Sequence, residues 1–350
     1  MNEQHLTIPT IDLGDGLTVS RIGFGGMALS PVYGGIDDAA AERTLAETID
    51  AGITFIDTAD VYGAPRPGVT GPAGTNEELV GRVLRGRRDR VQLATKFGIT
   101  GALGTAAEGE ATRVRGDRDY VRAACEASLR RLRTDVIDLY YMHRRDLTVP
   151  IAETVGAMSE LVTEGKVRHL GLSEVTAQEL REAAAVHPIA AVQSEWSIWS
   201  RDVEARVVPT AREVGTAFVP YSPLGRGFLT GTLTREDVAG SLRADQPRFD
   251  AGFEANQRVV DEIRAVANEL DATPAQIALA WLYAQGESLG LPVVPIPGSR
   301  RAPRMIENAG AIAVHLSDEQ VARLDAVAAA VSGGRNLTFN DPTWISSGRE

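Results

Sequence analysis

The 350-residue sequence contains a single cysteine, Cys125, which excludes an internal disulfide and fits a reducing compartment. It has no excess of positive charge. The formal net charge is -11 at pH 7, so general binding to nucleic acid or to an anionic membrane is not expected. No apolar run is long enough to span a bilayer, and the N-terminal residues lack the basic and apolar regions of a signal peptide. These absences together predict a cytoplasmic protein.

Motifs that mark several other classes of enzyme are also missing. The five histidines lack the spacing of metal ligands, so no metal is expected. A Walker motif and a nucleophile elbow are absent as well. Residues 23–28 match the G-x-G-x-x-A pattern of dinucleotide-binding folds, but that pattern requires a helix at the glycines. Residues 30–35, S-P-V-Y-G-G, prevent such a helix, and we interpret the match as a false positive.

Apolar runs alternate with helix-like segments along most of the chain. The runs are short and apolar throughout, as expected for strands buried on both faces of a parallel sheet. The predicted strands cover 22–27, 53–57, 91–96, 136–142, 167–172, 190–194, 216–221 and 291–295. Predicted helices cover 38–51, 76–85, 118–132, 150–164, 176–186, 202–213, 274–286, 302–309 and 317–330. Eight strand–helix units indicate an α/β protein with a (β/α)₈ TIM barrel and an extra C-terminal helix.

Two further segments flank the predicted barrel. Residues 6–20 are expected to form an N-terminal β-hairpin around a Gly-Asp-Gly turn, and residues 331–350 form a C-terminal tail. The Pro/Gly-rich stretch 63–74 lies between a strand and its own helix, so it is a loop rather than a linker. We therefore expect one barrel domain over residues 1–350.

Polar residues follow the predicted strands at the points where the apolar runs stop. Asp57, Lys96 and His143 each come at or just after the end of a strand, and Tyr62 lies five residues after Asp57. Each residue alone has an ordinary structural explanation, such as a solvated lysine or a satisfied loop histidine. In a (β/α)₈ barrel, however, the active site lies at the carboxyl ends of the strands. The shared position therefore favours a functional set.

These four residue types suit proton transfer. A tyrosine hydroxyl has a reference pKa of about 10, and an adjacent ammonium would lower that pKa. Asp57 would hold a buried Lys96, and His143 would hydrogen-bond a substrate oxygen or share the proton of Tyr62. The set can protonate an oxyanion as it forms, as in carbonyl reduction. It contains no hydride source, so a cofactor is required.

Later strand ends deliver further polar groups to the same rim, namely Ser173, Glu174, Gln193, Tyr221, Ser222, Ser299 and Arg300. A basic cluster follows strand 291–295, where arginines 300, 301 and 304 begin a short helix near Glu307 and Asn308. A helix N-terminus with arginines is a ready anion site, and barrels often bind phosphate after strands 7 and 8. We expect a phosphate site there.

The sequence resembles the aldo-keto reductases, in particular the bacterial branch near the pyridoxal-reductase-like members and the potassium-channel β-subunits. The resemblance extends from the hairpin to about residue 330. It includes F-I-D-T-A-D-V-Y-G (55–63), A-T-K-F-G (94–98), Y-S-P-L-G-R-G-F-L-T-G (221–231) and I-P-G-S-R-R (296–301). It implies a (β/α)₈ barrel that binds NADPH in an extended form and reduces a small-molecule carbonyl substrate.

The resemblance also implies a role for each matching residue. Tyr62 would be the general acid, Lys96 the group that lowers its pKa, Asp57 the partner of Lys96, and His143 the residue that orients the carbonyl. The cofactor residues would be Ser173 and Gln193 at the carboxamide, Tyr221 stacked on the nicotinamide, Ser222, Leu224 and Arg226 at the pyrophosphate, Ser299, Arg300 and Arg304 at the 2′-phosphate, and Glu307 and Asn308 at the adenine.

Several positions depart from the family pattern. Glu174 replaces an asparagine that many members have beside the carboxamide serine, and Gly298 replaces a lysine of the mammalian branch. The loop 63–74 is longer than usual and would border the substrate mouth. Trp196 and Trp199 follow a strand end, where they would either line the pocket or pack in the core. The tail would either fold over the site or be disordered.

Three functions remain open from the sequence. The leading one is an NADPH-dependent reductase of aldehydes or ketones. The second is an NADPH-binding regulatory subunit with little turnover, as the likeness to channel β-subunits suggests. The third is a barrel isomerase or lyase without a cofactor. Fold alone does not decide between them, and the physiological substrate and oligomeric state stay open.

Overall fold

A computed structural model of the protein describes residues 8–31, 34–68, 71–101, 114–239, 241, 243–244, 246–335 and 341–350. The first two residues of the predicted hairpin, two residues of the 63–74 loop and residues 336–340 of the predicted tail lie outside the described residues. Among the described helices, none is long and apolar enough to cross a membrane.

The N-terminal hairpin is confirmed. Strands β1 (Thr10–Asp12) and β2 (Thr18–Ser20) pair in antiparallel fashion, and a 3-10 turn at Gly14–Gly16 joins them. The Gly14 N–H donates to the Ala190 carbonyl oxygen at 3.0 Å. A Cβ on Gly14 would lie 2.6 Å from the Gly215 carbonyl oxygen, so the turn requires glycine. Because residues 190 and 215 precede barrel strands, the hairpin covers the amino-terminal end of the barrel.

In the described part of the chain, the barrel wall contains seven parallel strands that neighbour one another in chain order. This order is the one expected when each strand returns to the sheet through a right-handed crossover. The strands are β3 (Gly23–Gly25), β4 (Phe55–Asp57), β5 (Gln92–Phe97), β6 (Ile137–Met142), β7 (Val167–Ser173), β8 (Ala191–Glu195) and β9 (Ala217–Tyr221).

The predicted eighth strand, 291–295, is not a regular strand but still closes the barrel. One parallel bridge joins Val293 to Phe218 of β9, and the Val294 N–H donates to the Phe218 carbonyl oxygen at 3.0 Å. On the other side, the N–H of Gly23 in β3 donates to the Pro295 carbonyl oxygen at 3.0 Å. Proline has no N–H to donate, and residues 292, 295 and 297 are all proline, so a continuous ladder is impossible here.

The helices surround this sheet. Those that follow β3 to β8 are α1 (Asp38–Asp50), α2 (Thr75–Val83), α3 (Arg118–Leu132), α4 (Ile151–Thr163), α5 (Ala177–Ala184) and α6 (Val207–Glu213). Those that follow β9 are α7 (Arg235–Val238), α8 (Phe253–Glu269), α9 (Pro274–Leu289), α10 (Ala302–Ala309) and α11 (Asp318–Ala328). The extra C-terminal helix predicted at 317–330 corresponds to α11.

Two helix predictions need correction. The predicted helix 202–213 is interrupted at Arg206, whose φ of -142° is not helical, and it divides into a 3-10 turn at Asp202–Ala205 and α6. Pro209 explains the break, because proline fits the first turn of a helix but not its interior. Helix α8 lies in a stretch where no helix is predicted, although its buried Val259, Ile263 and Val266 follow the helical period.

The inside of the barrel is filled with side chains from the hairpin to the rim. Tyr141 of β6 is fully buried in a cluster with Leu13, Phe55 and Ala191. It lies opposite Gly171 of β7, and a Cβ at that glycine would overlap the tyrosine ring. Gly171 therefore provides the space that Tyr141 occupies directly behind the carboxyl end of the barrel.

The substitution Gly171→Ala is expected to destabilise the protein, because overpacking a filled core costs about 1–3 kcal/mol. Gly156→Ala is the matched control. Gly156 lies inside α4, where an added methyl group would point into open space, and alanine there should stabilise by about 0.5–1 kcal/mol. Thermal unfolding of both variants measures the difference. Equal midpoints would contradict the packing argument.

Candidate active site

Asp57, Lys96 and His143 reach the rim because consecutive strands end there. Asp57 is the last residue of β4, Lys96 lies in β5 and His143 directly follows β6. Tyr62 lies in the loop after β4, where its N–H donates to the Ala59 carbonyl oxygen at 3.1 Å and its carbonyl accepts from the first turn of α2. Gly63, with a φ of 113° and no room for a side chain, makes that loop possible.

Lys96 and Asp57 form a buried ion pair. The Lys96 Nζ lies 2.5 Å from the Asp57 Oδ1 and donates to the Thr58 carbonyl oxygen at 2.9 Å. The lysine side chain is 0% exposed and the aspartate side chain 3%. Burial, the largest cause, raises the pKa of Asp57 and lowers the pKa of Lys96, while their mutual attraction opposes both shifts. Each group therefore depends on the other to remain charged.

Tyr62 and His143 face each other beside this pair. The Lys96 Nζ lies 4.9 Å from the centroid of the Tyr62 ring, and the Tyr62 and His143 ring centroids are 5.7 Å apart. Burial, together with the nearby charges of Arg144 and Lys96, lowers the pKa of His143 well below its usual value. The imidazole is therefore neutral at physiological pH. Its Nδ1 is buried and has no partner among the described residues, which leaves Nε2 available to the cavity.

One cavity of about 820 Å³ lies at this rim, and we call it the rim cavity. Of the predicted site residues, Lys96 alone does not line it, because this lysine lies behind Asp57 and is fully buried. The rim cavity is lined by Asp57, Tyr62, His143, Ser173, Gln193, Tyr221, Ser222, Leu224, Arg226, Ser299, Arg300, Arg304, Glu307 and Asn308. The structure thus brings all the predicted positions to one site.

Gln193 connects the ion pair to the rest of the rim cavity. Its Nε2 donates to the Asp57 Oδ2 at 2.9 Å, so the two oxygens of Asp57 are divided between Lys96 and Gln193. Ser173, in the neighbouring strand, pairs in register with Gln193. The two polar side chains therefore lie side by side at the end of the sheet, next to the ion pair.

The far end of the rim cavity is basic. Arg300 and Arg301 directly precede α10, and Arg304 lies in its first turn. Among the described residues, no carboxylate is within ion-pair distance of any of the three. A Cβ on Gly25 would lie 2.6 Å from the Ile296 carbonyl oxygen, so the backbone segments that border this end approach one another closely. Exposed guanidinium groups at a helix N-terminus are suited to bind a phosphate.

Glu174 does not line the rim cavity but holds neighbouring parts of the structure together. Its φ is 52° and it is fully buried. Its Oε1 accepts from the Tyr221 hydroxyl at 2.9 Å and from Arg335 at 2.7 Å, and its Oε2 accepts from the Ser346 N–H at 3.0 Å. Burial alone would raise the pKa of this carboxyl, but these partners and Arg144 outweigh burial and hold the pKa at about 2.

Glu174 therefore fixes the C-terminal segment 341–350 against the barrel. Arg349 adds a hydrogen bond to the Glu174 carbonyl oxygen at 2.5 Å and an ion pair to Glu179 at 2.9 Å. As a result Trp344 and Ile345 line the rim cavity. The segment 341–350 of the predicted tail therefore folds over the site.

Some lining residues were not predicted. Trp344 and Ile345 belong to a short 3-10 turn and its flank, and no periodic pattern marks them. Arg144 also lines the rim cavity. It directly follows His143 at the end of a strand, so the pattern of polar residues at strand ends could have indicated it. Trp196 and Trp199, by contrast, do not line it. Trp196 stacks edge-on against Phe218, and the Trp199 ring lies against aromatic residues of the core.

Metal ligation has no support in the described part of the chain. Within it, no three histidine, cysteine, aspartate or glutamate side chains are arranged to hold a metal ion. The rim cavity is lined by a tyrosine, a neutral histidine and several arginines, and a buried lysine lies behind it.

The substitution Glu174→Gln is expected to release the segment 341–350 and to destabilise the protein. The difference between a carboxyl pKa of 4.5 and about 2 corresponds to roughly 3 kcal/mol. Because the folded-state pKa is the lower one, this stabilisation is complete above about pH 4.5 and is lost as the pH falls towards 2.

Limited proteolysis by trypsin after Arg335, together with thermal unfolding at pH 7, measures both effects. Glu182→Gln, an exposed carboxylate on α5, is the control and should leave both unchanged. If Glu174→Gln is cleaved as slowly as the control and unfolds at the same temperature, Glu174 does not anchor the segment.

Comparison with known proteins identifies the family. The aldo/keto reductase family model matches residues 21–329. A probable aldo-keto reductase 1 of Glycine max is 44% identical over 336 residues, which cover 94% of this chain and 92% of the relative. A glycerol dehydrogenase structure from Gluconobacter oxydans matches with a TM-score of 0.80 at 28% identity, over 95% of this chain and 99% of that chain. The structure of an aldo/keto reductase from Klebsiella pneumoniae in complex with NADP and acetate gives 0.65 at 28% identity, over 91% of this chain and 94% of that chain. This chain therefore belongs to the aldo/keto reductase family of oxidoreductases.

Proposed function

We propose that the protein reduces aldehydes or ketones to alcohols with NADPH, and that Tyr62 donates the proton. The observation that carries this proposal is the position of the Tyr62 ring 4.9 Å from the Nζ of Lys96, which is held by a buried aspartate. A tyrosine beside a buried ammonium is suited to give up its proton. The tyrosine also lines a cavity whose far end is basic, as a nucleotide cofactor with phosphates requires.

The residues of the rim cavity fit NADPH. Three arginines without a carboxylate partner in the described chain begin α10, where a helix N-terminus adds its own partial positive charge. Arg300 and Arg304, with Ser299, would bind the 2′-phosphate. The relative from Klebsiella pneumoniae is described in complex with NADP, which supports the same cofactor here.

The family resemblance implies roles for the remaining residues that line the rim cavity. Ser173 and Gln193 would bind the carboxamide, Tyr221 the nicotinamide face, Ser222, Leu224 and Arg226 the pyrophosphate, and Glu307 and Asn308 the adenine. When bound there, NADPH supplies the hydride. The protein supplies orientation and the proton.

Tyr62 would transfer its proton to the carbonyl oxygen as negative charge develops on it. The Lys96 ammonium favours the phenolate that remains on Tyr62, because unlike charges attract strongly in a site of low polarity. Asp57 keeps the lysine charged, and Gln193 fixes the second oxygen of that carboxylate. The ion pair therefore acts on the substrate through Tyr62 without touching it.

His143 would act as a neutral hydrogen-bond donor. Its lowered pKa argues against a role as the acid, since an imidazolium would be scarce at neutral pH. With Nδ1 buried and unpartnered among the described residues, the tautomer protonated at Nε2 can direct that proton to the carbonyl oxygen. Tyr62 and His143 would thus hold the oxygen from two sides.

No observation favours the regulatory subunit or the cofactor-free isomerase over the reductase. The narrower placement near the pyridoxal-reductase-like members and the channel β-subunits stays a prediction, as does the single domain over residues 1–350. The physiological substrate and the oligomeric state stay open.

The test is NADPH oxidation with a panel of aldehydes and ketones, in the wild type and in Tyr62→Phe. Loss of a positioned general acid is expected to lower kcat by about 10²–10⁴-fold. NADPH binding, followed by quenching of tryptophan fluorescence, should be unchanged.

Tyr283→Phe is the control, because this tyrosine does not line the rim cavity and its hydroxyl donates only to the Arg21 carbonyl oxygen at 3.2 Å. Wild-type protein that binds NADPH but reduces no carbonyl would instead support the regulatory subunit. Wild-type protein that does not bind NADPH at all would support the cofactor-free alternative.

A further inference from the structure

We propose that the protein selects carbonyl substrates that carry an anionic group, and that Arg144 binds this group. The inference rests on the proposed reductase function and adds a substrate class to it. It rests on where Arg144 lies, on which residues contact it, and on the absence of a counter-ion for it among the described residues.

Arg144 lines the rim cavity beside the residues proposed for proton transfer. It directly follows His143 at the end of β6 and lines the rim cavity with it. Its Nη1 donates to the His143 carbonyl oxygen at 2.7 Å and approaches the Ser173 Oγ at 3.4 Å. Its guanidinium carbon lies 5.3 Å from the centroid of the Trp344 ring. The guanidinium is thus held by Trp344 and by the backbone beside the proton-transfer residues.

Arg144 differs from the other arginines near the segment 341–350. Arg335 pairs with Glu174, and both Arg349 and Arg145 pair with Glu179. No carboxylate in the described chain lies within ion-pair distance of Arg144, and its Nε is buried without a hydrogen-bond partner there. The carboxylate of Glu174 is close enough to be influenced by Arg144, but both its oxygens are already occupied by other donors.

The apolar lining around Arg144 increases the attraction between its positive charge and an anion. Around it the rim cavity is lined by the apolar side chains of Met27, Ile99, Trp344 and Ile345. The one carboxylate that lines this part of the described cavity is Asp57, and Lys96 neutralises it. Arg144 is half-buried, and no carboxylate in the described chain is paired with it, so a bound anion would become its ion-pair partner.

The geometry indicates the chemical class of substrate. A guanidinium presents its N–H groups in one plane and pairs well with a carboxylate or a phosphate. The carbonyl carbon has to lie near Tyr62 and His143, and Arg144 is adjacent to His143 in the chain. The anionic group therefore lies a few bonds from the carbonyl, on an aldehyde or ketone whose remaining surface contacts the apolar wall.

Arg144 also has a purely structural interpretation. Its hydrogen bonds to the His143 backbone and towards Ser173 would position those residues for any substrate. In that case removal of the arginine would reduce turnover of charged and neutral carbonyl compounds to the same extent and would weaken NADPH binding. The proposed role instead predicts that removal of Arg144 reduces turnover of charged compounds more than turnover of neutral ones.

The experiment compares anionic carbonyl compounds with their uncharged methyl esters, which are larger by one methyl group. The aromatic pair is 4-carboxybenzaldehyde and its methyl ester, and the aliphatic pair is 4-oxobutanoate and its methyl ester. A further probe, 4-formylphenyl phosphate, carries a phosphate in place of the carboxylate. Values of kcat/KM and the NADPH Kd are measured for the wild type, Arg144→Gln and Arg144→Lys. Arg145→Gln is the matched control, since Arg145 is the next residue and does not line the rim cavity.

We expect the wild type to prefer the anionic member of at least one pair, and Arg144→Gln to lose roughly 10- to 100-fold in kcat/KM for that member. The neutral esters should change little, Arg144→Lys should keep part of the preference, and Arg145→Gln should keep all of it. A larger effect on the phosphate than on the carboxylates would identify the anion as a phosphate.

Reduction of the esters without any preference for the anions would overturn the inference and leave the reductase function intact. An equal loss for charged and neutral probes in Arg144→Gln, with a raised NADPH Kd, would assign Arg144 the structural role. Failure of the wild type to reduce any probe would count against the reductase function itself.

Discussion

The buried ion pair between Lys96 and Asp57 is the interaction on which the site depends. Neither charge is stable alone at this depth, because burial lowers the pKa of the lysine and raises that of the aspartate. The barrel accommodates the pair because two adjacent strands, β4 and β5, deliver the two side chains to the same end. Tyr62 then lies beside a charge that solvent does not screen. The fold thus provides an electrostatic environment that a surface lysine would not.

The other parts of the site lie at the same end of the barrel. Gln193 donates to Asp57, the Glu174 N–H donates to the Gln193 carbonyl oxygen, and Ser346 donates to Glu174. Hydrogen bonds therefore connect the ion pair to the segment 341–350. The hairpin covers the opposite end and fills the barrel there. The residues proposed for proton donation, cofactor binding and the substrate wall consequently line one cavity rather than separate surfaces.

The sequence was most informative where a strand ends. The apolar runs are buried on both faces, so the first polar residue after each run marks the rim, and this rule places Asp57, Lys96 and His143 together. Predictions from the sequence pattern fail where prolines interrupt a strand or a helix. Prolines convert the eighth strand to a single bridge, and Pro209 divides a predicted helix. The rule also cannot locate Trp344, which reaches the rim cavity through tertiary contacts made by Glu174, far away in sequence.

The pH dependence of the Asp57→Asn variant tests the ion-pair account most directly. Asp57 raises the pKa of Lys96 against the effect of burial, so without it the ammonium exists only at lower pH. The single-turnover rate of aldehyde reduction with saturating NADPH is measured between about pH 9 and about pH 6. The account predicts a rate far below that of the wild type at high pH, and a variant-to-wild-type ratio that rises as the pH falls. A ratio that stays constant across this range would contradict it.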